Sequence, residues 1–343
     1  MVLKLGIIGA GHMGYLHLYS CIKMKKRVSV KGVADKSKIT LKNIKKYGIN
    51  TYEDYINMLE NEDLDCVIIS LPNFLKKESI QNVSEYNLDI FVDKPLARNY
   101  DEAIQIKNII NKKGNRLMVG TNYRYHPNIV KIKESLDEGK IGNIKIASYE
   151  LIMNGPFSHP RTPRPVSDWY LDPEKSGGGA ILDLGYHLLD LNQWFFGNSN
   201  VTFCVKNNIM NLPVEDSSTI ITESIDDGVR SVFNVGWFSK MVFPDFNFRV
   251  NLHGSNGFLS SEKYAPGNLH LHAVREAIKN FMKRITFQEI DYLTYTYYYS
   301  SFYKILKDFL TYAESGSNFP SLQEQLNVMK NIDEAYRRGQ THE

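Results

Sequence analysis

Gly9-Ala10-Gly11-His12-Met13-Gly14 is the stretch that decides the fold of this 343-residue chain. It follows a short apolar run and opens an amphipathic stretch, so it reads as a G-x-G-x-x-G turn between a strand and a helix. The first glycine permits a tight turn, the second lets backbone approach a pyrophosphate, and the third lets the helix pack on the strand. The free N–H groups of the helix N-terminus then face the phosphates. The turn therefore predicts a dinucleotide-binding domain.

The first third of the chain alternates apolar runs with amphipathic stretches, as in a parallel sheet with crossover helices. The predicted strands are Lys4–Ile8, Ser29–Ala34, Cys66–Ser70, Asp89–Val92 and Arg116–Val119. The predicted helices are Met13–Met24, Ser37–Lys46, Tyr52–Glu60, Lys77–Glu85 and Asp101–Lys112. We predict an α/β domain with a doubly wound parallel sheet, a Rossmann domain, over residues 1–123.

The pattern changes after Tyr125, where strands follow one another without intervening helices. The predicted helices are Asn128–Glu138, Ala180–Phe196, Ser301–Tyr312 and Ser321–Arg338. The predicted strands are Ile144–Met153, Val201–Asn207, Ser218–Ser224, Arg230–Phe238 and Phe246–His253. Grouped strands indicate a mainly antiparallel sheet. We predict an α+β domain over residues 124–343, with the last helices packing back on the first domain.

The composition is that of a globular protein, with 43% hydrophobic and 23% charged residues and a net charge of +3. The basic residues cluster at the amino end, where residues 1–50 hold eleven Lys and Arg against one acid, Asp35. These residues lack interleaved aromatics and a recognised nucleic-acid module. We interpret them as a solvated face around the dinucleotide site, with no nucleic-acid partner.

The three cysteines, Cys21, Cys66 and Cys204, have no spacing typical of a metal site or a disulfide framework. The apolar start is interrupted by Lys4 and lacks a cleavage site, and no apolar run approaches the roughly 18 residues of a membrane span. We therefore expect no metal, no membrane partner and a cytoplasmic location.

Asp35 lies 21 residues after Gly14, at the end of the second predicted strand. An acid at this position accepts hydrogen bonds from an adenosine ribose and repels a 2′-phosphate, which favours NAD. Lys36 and Lys38 are close enough in sequence to soften that preference, so NADP stays possible. His17, one turn further along the first helix, is expected to be packed or solvated.

Two further segments carry residues that a plain sheet-and-helix scaffold does not need. Asp93-Lys94-Pro95 lies at the carboxyl end of a predicted strand, where open α/β sheets bind ligands. A glycine run at residues 177–179 leads into a helix that holds Asp183 and His187 four residues apart. This spacing predicts that the two side chains share a helix face, where the acid would orient an imidazole base. A purely structural Asp–His pair is the alternative.

Together with Leu71-Pro72-Asn73, residues 122–127 (NYRYHP) and Ala335-Tyr336, these motifs resemble those of the Gfo/Idh/MocA oxidoreductases over nearly the whole chain. The resemblance implies a nicotinamide cofactor and a sugar, cyclitol or related polyol as substrate. It also implies a homodimer or homotetramer formed through the open sheet of the second domain.

By this resemblance Lys94, Asp183 and His187 are the catalytic residues. His187 would take a hydroxyl proton while hydride leaves the same carbon, Lys94 would hydrogen-bond the oxygen, and Asp183 would hold His187 or the substrate. The implied cofactor-binding residues are Gly9, Gly11, His12, Met13, Gly14, Asp35, Lys36, Leu71, Pro72, Asn73, Asp93, Lys94, Asn122 and Arg124. The chain departs from the family pattern at Asp93, where a glutamate is usual, and at Lys76, where a histidine is common.

The expected substrate-binding residues combine the catalytic set with aromatic and basic side chains. They are Lys94, Tyr123, Arg161, Arg164, Trp169, Asp183 and His187. The two arginines would suit an anionic sugar or nucleotide sugar, whereas a neutral sugar or cyclitol needs neither. Three other functions stay open: an NAD-dependent glycosidase that oxidises its sugar transiently, a non-catalytic cofactor-binding regulator and, more remotely, a nucleic-acid-binding protein.

Overall fold

The computed structural model describes residues 2–159, 162–237, 247–286, 288, 290, 297 and 299–341. Its first sheet has six parallel strands in the order β3-β2-β1-β4-β5-β6. The strands are β1 Leu3–Ile8, β2 Val28–Ala34, β3 Asn50–Tyr52, β4 Cys66–Ile69, β5 Asp89–Asp93 and β6 Leu117–Gly120. The connecting helices are α1 His12–Lys23, α2 Lys38–Lys45, α3 Tyr55–Asn61, α4 Asn73–Val83 and α5 Tyr100–Lys113.

This first sheet confirms the predicted doubly wound domain. All four residues of β4 are buried, as expected for a central strand covered by helices on both faces. The strand order reverses between β1 and β4, so the crevice at the carboxyl ends of these strands is a topological switch point. Strand β3 was not predicted because three residues are too few to show a period.

The second sheet has seven strands in the order β14-β13-β7-β12-β11-β10-β15. Its strands, with a short hairpin β8-β9, are β7 Ile144–Ile152, β8 Phe157–His159, β9 Thr162–Pro165, β10 Ser199–Asn207, β11 Ser217–Ser224, β12 Arg230–Gly236, β13 Asn247–Gly254, β14 Gly257–Ser260 and β15 Gln340–Thr341. The helices of this half are α6 Pro127–Asp137, α7 Pro173–Ser176, α8 Tyr186–Phe196, α9 Leu269–Ile285, α10 Ser300–Ser315 and α11 Leu322–Arg338. The predicted mainly antiparallel sheet is confirmed, since only the β7–β12 and β10–β15 pairs are parallel.

One face of the second sheet packs on α8, which carries part of the site. Along β7 the residues Ala147, Tyr149 and Leu151 are buried while their neighbours are partly exposed, the alternation of a sheet covered on one side. A single π-helical turn, Ile181–Gly185, runs directly into α8.

The two C-terminal helices contact the first domain. Phe309 of α10 packs edge-on against Phe91 of β5, with ring centroids 5.4 Å apart. On α11, the side chain of Gln323 accepts a hydrogen bond of 2.7 Å from Lys107 of α5. Within the described part of the chain, no helix is both long enough and apolar enough to cross a bilayer.

Candidate active site

The glycine turn after β1 has the shape that a pyrophosphate requires. Gly9 has φ +87°, and a Cβ at Gly14 would lie 1.9 Å from the carbonyl oxygen of Gly9, so packing demands glycine at both positions. Gly11 faces open space, since a Cβ added there would have nothing within 4 Å of it. It caps α1 without a side-chain hydrogen bond, which leaves the first N–H groups of the helix available. These residues fit the diphosphate of a dinucleotide.

A cavity of about 520 Å³ lies beside this turn. Its walls bring together five of the predicted cofactor-binding residues, Gly9, Asp35, Lys36, Leu71 and Pro72. Two of the other predicted residues lie on the opposite side of the turn: Gly11 and His12 line a second cavity of about 540 Å³. Met13, in the first turn of α1, is half-buried.

The 520 Å³ cavity is acidic. Asp35 accepts hydrogen bonds of 2.7 Å from the backbone N–H groups of Ala10 and Ser37, which holds its carboxylate at the end of β2. Three more acids that the sequence reasoning missed, Glu53, Asp54 and Glu78, also line it. Lys36 lies 3.7 Å from Asp54, and outside the lining Lys38 lies 3.4 Å from Glu53, so both lysines that could have favoured NADP stand next to acids.

Lys94 projects from the carboxyl end of β5 and is held by Asp183. Its Nζ donates to the Asp183 carboxylate at 2.9 Å and to the Asp183 carbonyl oxygen at 2.8 Å. The other carboxylate oxygen accepts a hydrogen bond of 3.2 Å from the indole N–H of Trp237. Asp183 therefore orients Lys94, and Trp237, which the sequence reasoning missed, orients Asp183.

The predicted contact between Asp183 and His187 was wrong. Both carboxylate oxygens of Asp183 bond to Lys94 and Trp237, and His187 instead stacks on Tyr123, with ring centroids 4.0 Å apart. The physical reason is the π-helical turn at residues 181–185. A π-turn is wider than an α-turn, so residues four apart no longer lie one above the other.

His187 is buried, and its burial, reinforced by the positive charge of Lys94, holds the pKa of the imidazole well below 6.5. The ring is therefore neutral at pH 7. A neutral imidazole accepts a proton, which is the state that a general base needs.

We expect the acid limb of kcat/KM, which reports groups in the free enzyme, to lie below pH 6.5. A base is inactivated when it is protonated, and a lowered pKa moves that event to lower pH. The rate should therefore be level from neutral pH to below 6.5 and fall only at more acidic pH. Titration of the His187 ring protons by NMR in the free protein checks the assignment. An acid limb of the pH–rate profile at pH 6.5 or above, or a His187 ring pKa of 6.5 or above, would contradict this assignment.

Asp93, which the resemblance predicts to bind the cofactor, is held by contacts within the protein. Its carboxylate bonds to the Nε2 of His17 at 2.8 Å and accepts a hydrogen bond of 2.6 Å from the hydroxyl of Ser70. Burial acts to raise the pKa of Asp93, but His17, Ser70 and the charge of Lys76 outweigh it and the pKa is lowered. Being one methylene shorter than glutamate, the side chain stays at the sheet edge, and His17 is packed as its partner.

Lys76, on α4, is a fully buried lysine beside the carboxyl end of β5. Its Nζ donates hydrogen bonds of 2.8 Å to the carbonyl oxygens of Asp93 and Pro95, the residues on either side of Lys94. Burial lowers the pKa of Lys76 to about 7. Lys76 thus ties α4 to the backbone that presents Lys94.

Arg124, predicted to bind the cofactor, has another role in the structure. Its guanidinium forms a two-pronged pair with Asp190 of α8, at 2.9 and 2.7 Å, and donates to Glu324 of α11 at 2.7 Å. Asp190 is 1% exposed, and a buried carboxylate needs such a partner. Two other predicted cofactor residues use their side-chain amides for protein contacts: Asn122 donates to Ser301 and Asn73 to the carbonyl of Ser176.

Trp169, predicted to bind substrate, belongs to a small aromatic group. Its ring stacks on Tyr170, with ring centroids 3.9 Å apart, and its centroid lies 6.5 Å from that of Phe74. The pKa of Tyr170 is raised by burial and by the charges of Asp183 and Asp93. Arg161 and the side chain of Arg164 lie outside the described residues.

Gly179, the last residue of the glycine run, packs closely against Glu215, a partly buried acid that the sequence reasoning missed. The carboxylate of Glu215 accepts hydrogen bonds from the N–H of Gly179 at 3.1 Å, the N–H of Ile181 at 3.0 Å and the hydroxyl of Tyr336 at 2.7 Å. A Cβ at Gly178 would lie 1.9 Å from the Tyr336 hydroxyl. These contacts fix the start of the turn that carries Asp183.

A dinucleotide turn, a lysine held by an acid and a neutral imidazole, all at one sheet edge, define a nicotinamide-dependent dehydrogenase. Comparison with known families agrees. Residues 3–121 match the model of an oxidoreductase family with an NAD-binding Rossmann fold, and residues 129–260 match the GFO/IDH/MocA C-terminal domain. The chain belongs to the Gfo/Idh/MocA family of NAD(P)-dependent oxidoreductases.

Among its relatives is the inositol 2-dehydrogenase of Rhizobium meliloti (strain 1021), 22% identical over 279 residues that cover 79% of each chain. The levoglucosan dehydrogenase of Pseudarthrobacter phenanthrenivorans is 27% identical over 76% of this chain and 70% of that one. The crystal structure of GenD2 from gentamicin A biosynthesis in complex with NAD has the same fold, with a TM-score of 0.80 and 18% identity over 98% of this chain and 94% of that chain.

Proposed function

We propose that the protein oxidises a secondary CH–OH group of a neutral sugar or cyclitol, with NAD as the preferred hydride acceptor. The observation that carries the proposal is the Lys94 ammonium, held by Asp183 at the end of β5 beside a neutral His187. A carbon that loses hydride needs a base for its hydroxyl proton and a positive group at its oxygen. No metal is required, and the described residues contain no metal-binding cluster.

The roles follow from the contacts. When bound, the nicotinamide supplies the hydride acceptor. Lys94 donates a hydrogen bond to the substrate oxygen and stabilises its developing negative charge. His187 accepts the hydroxyl proton, with its ring plane set by Tyr123. Asp183 orients Lys94, and Trp237, 1% exposed, covers the other side of the Asp183 carboxylate.

The substrate class follows from the balance of charge and aromatic surface in the described part of the site. The positive charge of Lys94 is matched by Asp183 within a 2.9 Å contact, so no net positive charge remains for an anionic substrate. Trp169 and Tyr170 offer flat apolar surface to the C–H faces of a ring. The relatives named for inositol and levoglucosan support a compact neutral polyol.

The preference for NAD rests on the acidic cavity. Asp35, with Glu53 and Asp54 close by, opposes a 2′-phosphate at the end of β2. The ion pairs of Lys36 and Lys38 with these acids are exposed at the surface and therefore weak, but the lysines are already next to negative partners.

Asp35→Asn tests this preference. The amide keeps one of the two acceptor oxygens that bond to the Ala10 and Ser37 N–H groups and removes the negative charge. The ratio of kcat/KM with NADP to that with NAD should therefore rise by about tenfold or more. Steady-state kinetics with both cofactors measures the ratio. Asp63→Asn removes an exposed charge outside the cavity lining and should leave the ratio unchanged. An unchanged ratio in Asp35→Asn would contradict the role of this charge.

The substrate proposal is tested by following reduced nicotinamide with a panel of aldoses, inositols, sugar acids and nucleotide sugars. Turnover with neutral members is the expected result. If only sugar acids or nucleotide sugars are turned over, the proposed neutral polyol is wrong and the substrate is anionic. Hydrolysis of aryl glycosides without net reduction of cofactor would instead identify a glycosidase. Tight NAD binding with no reaction on any member would favour a regulator.

A further inference from the structure

Helix α9 presents its apolar side to solvent. Six of its side chains are each at least half exposed, and they are Leu271, Val274, Ile278, Phe281, Met282 and Ile285. The half-buried positions lie on the opposite side and are mostly polar: His272, Glu276, Asn280 and Lys283. An ordinary surface helix buries its apolar side and exposes its polar side. Helix α9 shows the reverse arrangement. We therefore look for a partner that covers its apolar side and that is not among the described contacts.

The spacing of the apolar residues indicates what covers them. Five of them recur at intervals of three and four residues, at positions 271, 274, 278, 281 and 285. This spacing is the seam of a coiled coil, which accepts another helix along its length. The positions that flank this seam hold Arg275, Ala277, Met282 and Arg284.

We propose that α9 pairs antiparallel with α9 of a second copy of this chain. In the register that sets Ile278 opposite Phe281 of the second copy, Val274 falls opposite Ile285. The flanking positions then bring Arg275 against Met282 and Arg284 against Ala277. Each arginine meets an apolar side chain and not another arginine, so the two basic helices associate without opposed like charges. Antiparallel helix dipoles add to this preference.

The pairing buries a moderate area. Leu271 falls opposite residue 288 in this register, beyond the end of α9, so five of the six exposed apolar side chains lie in the contact. At roughly 100 Å² each they give about 500 Å² per copy, or about 1,000 Å² in total, which is the lower limit for a specific interface. The aliphatic stems of Arg275 and Arg284 lie beside the seam and contribute further area.

Light scattering of the full chain after size-exclusion chromatography tests the pairing. Replacing both Ile278 and Phe281 by Glu should halve the particle mass, because two charges enter the seam of each copy. Lys279→Glu changes the net charge by the same amount on the far side of α9 and should keep the wild-type mass. Circular dichroism and NAD binding establish that the variants are folded. An equal mass for wild type and the double variant would overturn the proposal.

Cross-linking tests the register. An equimolar mixture of Ile278→Cys and Phe281→Cys proteins should form more disulfide-linked dimer under oxidation than either protein alone. Lys279→Cys should form little, and the native Cys21, Cys66 and Cys204 are buried and do not interfere. Cross-linking that is equal for all three samples would contradict the register. A different outcome would show that α9 binds a membrane surface and would overturn the pairing. In that case wild type is monomeric and floats with phosphatidylserine vesicles, whereas the double glutamate variant does not float.

Discussion

Lys94→Ala is expected to lower kcat by about a thousandfold, the largest effect on activity that the site implies. The Lys94 ammonium is the group that would hold the substrate oxygen as negative charge develops on it. Among the described side chains, no other positively charged group bonds to Asp183. The fold should survive, because Asp183 keeps its hydrogen bond to Trp237 and is 29% exposed at its side chain.

The control is Lys77→Ala. Lys77 is a partly exposed lysine of α4 whose side chain donates to Gln105. Its loss removes the same charge away from the site and should leave kcat unchanged. Lys94→Arg keeps the charge but replaces a point donor by a planar fork, so we expect intermediate activity. Steady-state and single-turnover kinetics separate loss of chemistry from loss of binding. Activity within tenfold of wild type in Lys94→Ala would remove Lys94 from the reaction.

The first domain was predictable because its signals are local. The glycine motif at residues 9–14 predicts a strand before it and a helix after it, and Asp35 directly follows the next strand. Helix α4 was placed four residues late, since Pro72 starts it at Asn73 and not at Lys77. Helix α9 was missed although its seam spacing and the capping Asn268 were present in the sequence.

The site was only partly predictable because its partners come from distant segments. Lys94 and His187 were found from strand-end position and helix spacing, and their catalytic roles stay predictions. Trp237 acts through one contact and Glu215 through three, and each joins residues more than thirty positions apart, which no local pattern predicts. The π-turn, which separates Asp183 from His187, depends on packing and not on residue spacing.

Lys76→Met is the second substitution with a large expected effect, on stability and on catalysis. It leaves the carbonyl oxygens of Asp93 and Pro95 buried without a donor. Near pH 10, where loss of the lysine charge on folding costs little, we expect this to lower the free energy of unfolding by about 2 kcal/mol. Since these carbonyls flank Lys94, kcat should also fall by about tenfold, through positioning. Lys77→Met, on the exposed side of the same helix, should change neither quantity.

The pH dependence distinguishes this role from simple packing. Lys76 has a pKa of about 7 in the folded protein against 10.5 for an ordinary lysine, so between these values the unfolded chain binds more protons than the folded one. The contribution of Lys76 to stability therefore rises with pH across this window, by at most about 1.4 kcal/mol per pH unit. Below pH 7 both states are protonated and the contribution is level. Denaturant unfolding of wild type and Lys76→Met at several pH values measures the difference in the free energy of unfolding, which should move in favour of wild type from pH 7 to 9. A difference that stays constant over that range would mean that Lys76 is charged in the folded protein throughout.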